Sequence, residues 1–262
     1  RTGHPTDLRL AVKDAISELS GFELLETSET RIRLMNLIDA ENVDIRKSAL
    51  RLKLVMLSMH RDAITAIVED DADLAQRVAD RDSEADKLFA MITRHFRRSL
   101  SDLQEVDKLD HSRDTLFEYY YACRQFERVS DHAEKMAAFV TRSDRPVPDD
   151  LVSHLDTVGD RARSMLDAAA DVLLADADIE TAYDVLESRD DLLSEIETLD
   201  RELYDHGESD AAYTAGVLLD SIRRTAQHGA NVAEIAIQQT SRTTLPGGDG
   251  ARVTGGSSSN AR

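Results

Sequence analysis

Residues 112–142 read SRDTLFEYYYACRQFERVSDHAEKMAAFVTR. Leu116, Tyr120 and Cys123 recur at helical spacing, and Glu127 continues their line. Glu127 and Asp131 then stand one turn apart on one helix face, where like charges repel unless a cation or an arginine lies between them. The stretch has an echo downstream: QFERVSDHA at 125–133 aligns with SIRRTAQHG at 221–229. Two further phrases recur in the same order. DADL at 71–74 returns as DADI at 176–179, and VADRDSEADKL returns as VLESRDDLLSEI through the shared pairs Arg81-Asp82 and Arg189-Asp190. Repetition at this scale means two tandem structural units.

Working outward, Asp44 is placed to cap a helix running to about Asp70, with Leu50, Leu54, Leu57, Ile64 and Val68 as its apolar stripe. Asp71 to about Ser101 and Ser112 to Arg142 complete a first set of three helices. After the break RPVPDD (145–150) come segments of about 149–175, 178–206 and 209–241. The fold expected is all-α: a tandem pair of antiparallel three-helix bundles, at 44–142 and 149–241, laid end to end. Residues 1–40 form an appendage. A helix over 6–19 ends near Gly21, and Phe22, Leu24, Ile32 and Leu34 alternate as in a β-hairpin turning at Thr27-Ser28-Glu29. Residues 242–262, rich in Gly and Ser, read as a disordered tail. The chain opens on Arg1, which raises the expectation that further residues precede it.

With 51 acidic against 32 basic residues and a net charge of −19, general binding to nucleic acid is excluded, because phosphate contacts need clustered Lys and Arg. The acidity comes from 33 Asp and 18 Glu beside 26 Arg and 6 Lys, a balance expected of a halophilic archaeon. Cys123 is the single cysteine, so no internal disulfide forms, in keeping with a cytoplasmic location. No apolar run reaches the roughly 18 residues of a membrane span. No nucleotide-binding loop or catalytic triad pattern occurs, and the chain reads as a non-enzyme. A homodimer is expected, since long flat bundles pair and the hairpin needs a surface to cover it.

Candidate metal ligands are Asp82 and Asp86 on the second helix and Glu127 and Asp131 on the third. Asp82 continues the stripe Ala85, Phe89, Ile92 and Phe96, so its carboxylate is not simply a solvated surface group. Two facing helices with such pairs can offer oxygen ligands to a hard cation. In so acidic a chain the same spacing also arises by chance. His132 and His228 occupy equivalent repeat positions and read as packed residues before ligands; Arg128 and Arg224 read as partners for carboxylates. In the second half the aligned positions are Asp190, Ser194, Arg223 and Gln227. Arg223 is expected beside Asp190, replacing a cation.

These phrases, RDSEADKLF at 81–89 and ERVSDHAEKMA at 127–137, resemble the PhoU family, a twice-repeated three-helix bundle whose second and third helices carry Glu/Asp-x-x-x-Asp motifs. The resemblance covers about 44–241. It implies a regulatory adaptor controlling phosphate uptake and phosphate-responsive signalling, with a phosphate ABC transporter ATPase or a phosphate-signalling component as partner. It also implies iron, manganese or magnesium held by Asp82, Asp86, Glu127 and Asp131. The helix and hairpin running into NLIDAENVDIRKSALRL (36–52) further resemble an archaeal branch with an AbrB-like DNA-binding domain ahead of PhoU. The competing functions are a carboxylate-bundle protein for metal binding or storage and the effector half of a DNA-binding transcription regulator.

Overall fold

The computed structural model describes residues 11, 12, 15, 22–27, 31–36, 43–142, 147, 149–203 and 209–244. Helix α1 (Ile45–Glu69) opens at Asp44, whose carboxylate accepts the Lys47 N–H at 2.9 Å. That bond holds the carboxyl below its usual range, as a negative group at the positive end of a helix should be. α1 ends on Asp70 in the left-handed conformation (φ 52°), the Asp71 N–H returns to the Ala66 carbonyl, and the Asp71 carboxylate caps α2 (Ala72–Ser101) at the Leu74 N–H. Aspartate tolerates this backbone better than most side chains. Asp176, at φ 57°, repeats the device after the first helix of the second half.

Between Ser101 and Arg113 the sequence reading holds no element, but Asp102 caps a short helix, α3 (Leu103–Leu109), through the Gln104 N–H. Seven residues are too few to display a period. Its buried Glu105 accepts from His95 Nδ1 at 2.5 Å and lies 3.2 Å from Arg98, tying α3 to the end of α2. Then follow α4 (Arg113–Arg142), α5 (Asp149–Leu174), α6 (Glu180–Glu202) and α7 (Ser209–Thr244). The last runs three residues past the expected limit of 241; residues 245–262, read as a disordered tail, lie outside the described residues. β1 (Phe22–Thr27) pairs antiparallel with β2 (Ile32–Asn36), Leu24 opposite Leu34, with an irregularity between Leu24 and Glu26. The expected turn at Ser28-Glu29 and most of the expected helix 6–19 lie outside the described residues.

α1, α2 and α4 pack as one three-helix unit and α5, α6 and α7 as another. They do not lie end to end. α1 packs along α5 and α4 along α7, so the units sit side by side, with α2 and α6 on the outside. Gly229 of α7 makes that density possible within the second unit: a Cβ there would come 3.2 Å from the Leu166 backbone of α5. Across the seam, buried Lys53 reaches Asp167 and Asp171 at 2.6 and 2.5 Å, and Arg46 donates to the Leu174 carbonyl and to Asp176. Glu118 of α4 accepts from Gln239 and Arg242 of α7, each at 2.7 Å.

The core face of α1 is Ile45, Ala49, Leu52, Met56, Met59, Ala63 and Ile64; of the expected stripe only Ile64 belongs to it, and Leu54 is 65% exposed. Leu50, Leu57 and Val68 pack only at the margin. The side-by-side arrangement explains the error. A helix touched by α2, α4 and α5 needs small Ala and pliable Met on its crowded faces, so the largest apolar residues do not mark its core.

Candidate metal centre

α2 and α4 run antiparallel, as their ring contacts show: Phe89 meets Tyr120 at 5.9 Å and Phe96 meets Phe117 at 6.1 Å. Beyond this ladder the pairing brings Asp82 and Asp86 of α2 near Asp131 of α4. One carboxylate oxygen from each lies within 4.8 Å of the others. Glu127 is half-buried beside them but its oxygens fall outside the compact trio.

Nothing neutralises this group fully. Arg81, next to Asp82 in sequence, turns to α1, where it donates to Asp62 at 2.5 Å and to Ser58 at 2.8 Å. Arg128 does approach the carboxylates, lying 3.4 Å from Asp131 and 3.8 Å from Glu127. Arg224, its counterpart, pairs instead with Asp220 at 3.7 Å. Asp82 Oδ1 is buried without a hydrogen-bond partner. Burial, and then repulsion from Asp86, Glu134, Asp131 and Glu127, push the Asp82 carboxyl up to about 7. Burial also raises Glu127 and Asp131; repulsion from neighbouring carboxylates adds to both and Arg128 offsets part of it. An unpartnered carboxylate oxygen among crowded carboxylates fits a hard cation, whose oxygen ligands stand about 2.0–2.6 Å from the ion. The residues therefore fit such an ion: Asp82, Asp86 and Asp131 would hold it, with Glu127 at the edge. Glu134, which the sequence reading passed over, belongs to the same field. It follows Glu127 by seven residues, two turns along the same face, and that spacing was available to find it.

The second unit differs at every equivalent position. Buried Ala75, Val78, Ala85 and Ile92 of α2 recur as Ala182, Val185, Leu192 and Leu199 of α6. In that register Asp82 falls on Arg189 and Asp86 on Leu193. The Arg-Asp match used to align the repeats is thus one residue out, and Asp190 is not the counterpart of Asp82. Asp190 is exposed and pairs with Arg189 at 2.9 Å. Arg223, expected beside Asp190, lies 3.8 Å from Asp200 instead. The α4 to α7 alignment does agree with the core, since Ala122, Cys123, Phe126 and Val129 recur as Leu218, Leu219, Ile222 and Thr225. It places Arg223 and Gln227 at the positions of Glu127 and Asp131. No carboxylate remains in the second set.

At the seam, the His132 and His228 rings lie 6.1 Å apart between centroids, tilted by 39°, and His228 Nδ1 meets Gln125 Oε1 at 2.8 Å. They are packed groups of the α4–α7 contact. His60 of α1, which the sequence reading did not single out, is fully buried with both ring nitrogens unpartnered, and burial pushes it down to about 3. Buried Leu52, Met56, Met59 and Ala63 of α1 recur as Val158, Ala162, Met165 and Ala169 of α5, so Leu166 occupies the place of His60 in the second unit.

Residues 49–140 match the family model described as the PhoU domain. The match takes in most of α1 and α4, all of α2 and α3, and the whole acidic group. The fold agrees over a longer span. PhoU from Pseudomonas aeruginosa superposes with a TM-score of 0.66 at 23% identity, over 77% of this chain and 98% of that one. The phosphate transport system regulatory protein PhoU from Streptococcus pneumoniae gives 0.61 at 18% identity, over 75% and 93%. No curated protein matches the sequence. The chain thus has the PhoU fold, with the PhoU domain recognised in its first unit. No helix among the described residues is long and apolar enough to cross a membrane.

Proposed function

We propose that this chain is a PhoU-type regulatory adaptor, controlling phosphate uptake and phosphate-responsive signalling through contacts with a phosphate ABC transporter ATPase or a phosphate-signalling component, and that it is not an enzyme. A hard cation, iron, manganese or magnesium, sits in the first unit against Asp82, Asp86 and Asp131. The observation that carries the reading is the unpartnered Asp82 oxygen within the carboxylate group of a PhoU domain. A role in metal storage is disfavoured by the single such group among the described residues, since storage needs many ions per chain. An AbrB-like DNA-binding module ahead of Arg1 belongs to the same reading, and sequencing upstream of the Arg1 codon tests it.

Deletion of the gene tests the adaptor role. Phosphate-starvation transcripts or phosphate uptake should then persist when phosphate is abundant, and should be restored by the wild-type chain. Unaltered repression in the deletion strain would contradict it. In purified form the protein should turn over neither phosphate esters nor nucleotides, measured as phosphate release.

A further inference from the structure

The first unit carries a second feature beyond the carboxylate group. Leu100, Leu103 and Phe117 are 57, 68 and 44% exposed, and they lie at the corner where α2, α3 and α4 meet. Phe117 touches Phe96, one turn before Leu100, while Arg113, one turn before Phe117, donates to the Ser99 carbonyl at 2.7 Å. Beside the corner runs a groove on α2 lined by Phe89, Thr93, Arg94, Arg97 and Arg98, with Asp86 at its far end and Thr93 Oγ1 buried and unpartnered. Tyr120 stacks on both Phe89 and Phe96, and Arg124 follows it by one turn on α4.

Charge is what sets this corner apart. In a chain with 51 acidic residues most helical arginines meet a carboxylate, yet exposed Arg97 and Arg113 form no ion pair with any described residue, while Arg124 lies towards the carboxylate group and acts on Glu127. Glu105, the buried carboxylate at this corner, is already taken by His95 and Arg98. Among the described residues the second unit carries less of this surface: Phe89, Phe96 and Tyr120 become Ile196, Leu203 and Gly216 and Arg113 becomes Ser209, although exposed Tyr213 stands in the place of Phe117.

We propose that the α2–α3–α4 corner docks an acidic, amphipathic helical segment of a partner protein, its Leu or Phe side chains against Leu100, Leu103 and Phe117 and its carboxylates against Arg97 and Arg113. Unpaired arginines beside exposed apolar groups complement such a segment on both counts, and Arg and aromatic side chains dominate protein-protein contact energies. A bilayer with anionic lipids offers the same two chemistries, but it presents its charge over a plane to a molecule of net charge −19. A short segment need match only the corner. This inference rests on the adaptor reading solely for the partner's being a protein, and it fails separately, because phosphate-responsive regulation can hold while the corner binds nothing.

The probe is a labelled helical peptide of about 16 residues, with Leu and Phe on one face and Glu and Asp on the other. It is titrated with the full chain by fluorescence anisotropy in about 0.1 M salt, where exposed charges still act over about 10 Å. The acidic peptide should bind, and the same apolar face carried on Lys should not. Arg97→Glu, or Leu103→Ser, should each weaken binding about tenfold or more. Arg201→Glu, the same charge change on the second unit, should not alter it; circular dichroism checks that each variant keeps its helix content. Three results would overturn the proposal: equal binding of the acidic and Lys peptides, binding unaffected by the corner substitutions, or no binding of the acidic peptide. Vesicles of about one-third anionic lipid that take up the chain in its place would assign the corner to a membrane. Loss of a dimer on Arg97→Glu, measured by sedimentation equilibrium, would assign it to a second copy.

Discussion

The two units share a backbone plan and part company at one set of positions. At the facing turns of α2 and α4 the first unit has Asp82, Asp86, Glu127 and Asp131, whereas the second has Arg189, Leu193, Arg223 and Gln227. The cores around them are nearly interchangeable, down to the left-handed aspartates Asp70 and Asp176 after the first helix of each unit. Burial repeats because each helix must cover the same neighbours. Charge does not, because packing does not hold these half-buried and exposed positions to one residue type. A duplicated fold can therefore keep its packing in both copies and its carboxylate group in one.

The largest effect that would break this comparison is at the ligands. Asp131→Ala should lower cation affinity at least about a hundredfold, by titration calorimetry with manganese, since even changes to outer partners of a metal site cost 10–100-fold. Glu127→Ala should cost less, because its oxygens lie outside the compact trio. Arg189→Asp, Leu193→Asp, Arg223→Glu and Gln227→Asp made together should give the second unit a site of its own, and a second equivalent of bound ion would sharpen the case that side chains alone separate the units.

Proton competition comes next. A cation needs Asp82 ionised, and its carboxyl stands near 7 in the fold against 3.8 unperturbed. Affinity should rise with pH up to about 7 and then level off. Without metal the sign for stability is opposite. The folded state holds this proton more tightly than the unfolded state, so stability falls as pH rises between 3.8 and 7. Asp82→Asn should therefore raise the metal-free Tm at pH 7 while removing the stabilisation that metal confers. A lower Tm for that variant would mean that Asp82 has a partner in the fold.

How much of this was legible in the sequence varies by level. Helix positions were, because Asp44 and Asp71 are capping residues and the two acidic turns recur. The α1 stripe was not: leucine spacing pointed at Leu54, whereas a helix packed on three sides uses Ala49, Met56, Met59 and Ala63. The repeat alignment of α2 with α6 was misled by a shared Arg-Asp dipeptide, and only the burial pattern shows that Arg189 takes the place of Asp82. Side-by-side packing of the units was hidden as well, because residues that meet across the seam, such as Lys53 and Asp167, are far apart in the chain.

A smaller effect lies at that seam. His60→Leu introduces the residue that the second unit carries at the same place, Leu166, and removes two buried unpartnered nitrogens. Stability should rise by about 1–2 kcal/mol at pH 7, read from urea unfolding. The sign of the pH effect is fixed by the low value of His60. Its unfolded form takes up a proton that the folded form refuses, so the wild type loses stability as pH falls from 6.5 towards about 3, and His60→Leu should flatten that loss. His228, pushed down to about 4 by burial and by His132, leaves part of the slope in place.

The most direct test of the asymmetry between the units is anomalous scattering from crystals of the full chain grown with manganese and iron. One peak per chain is expected, bounded by Asp82, Asp86 and Asp131, with none beside Arg189, Leu193, Arg223 and Gln227. Equal peaks in both units, or an empty first unit with either metal in excess, would contradict the assignment of the site to one repeat.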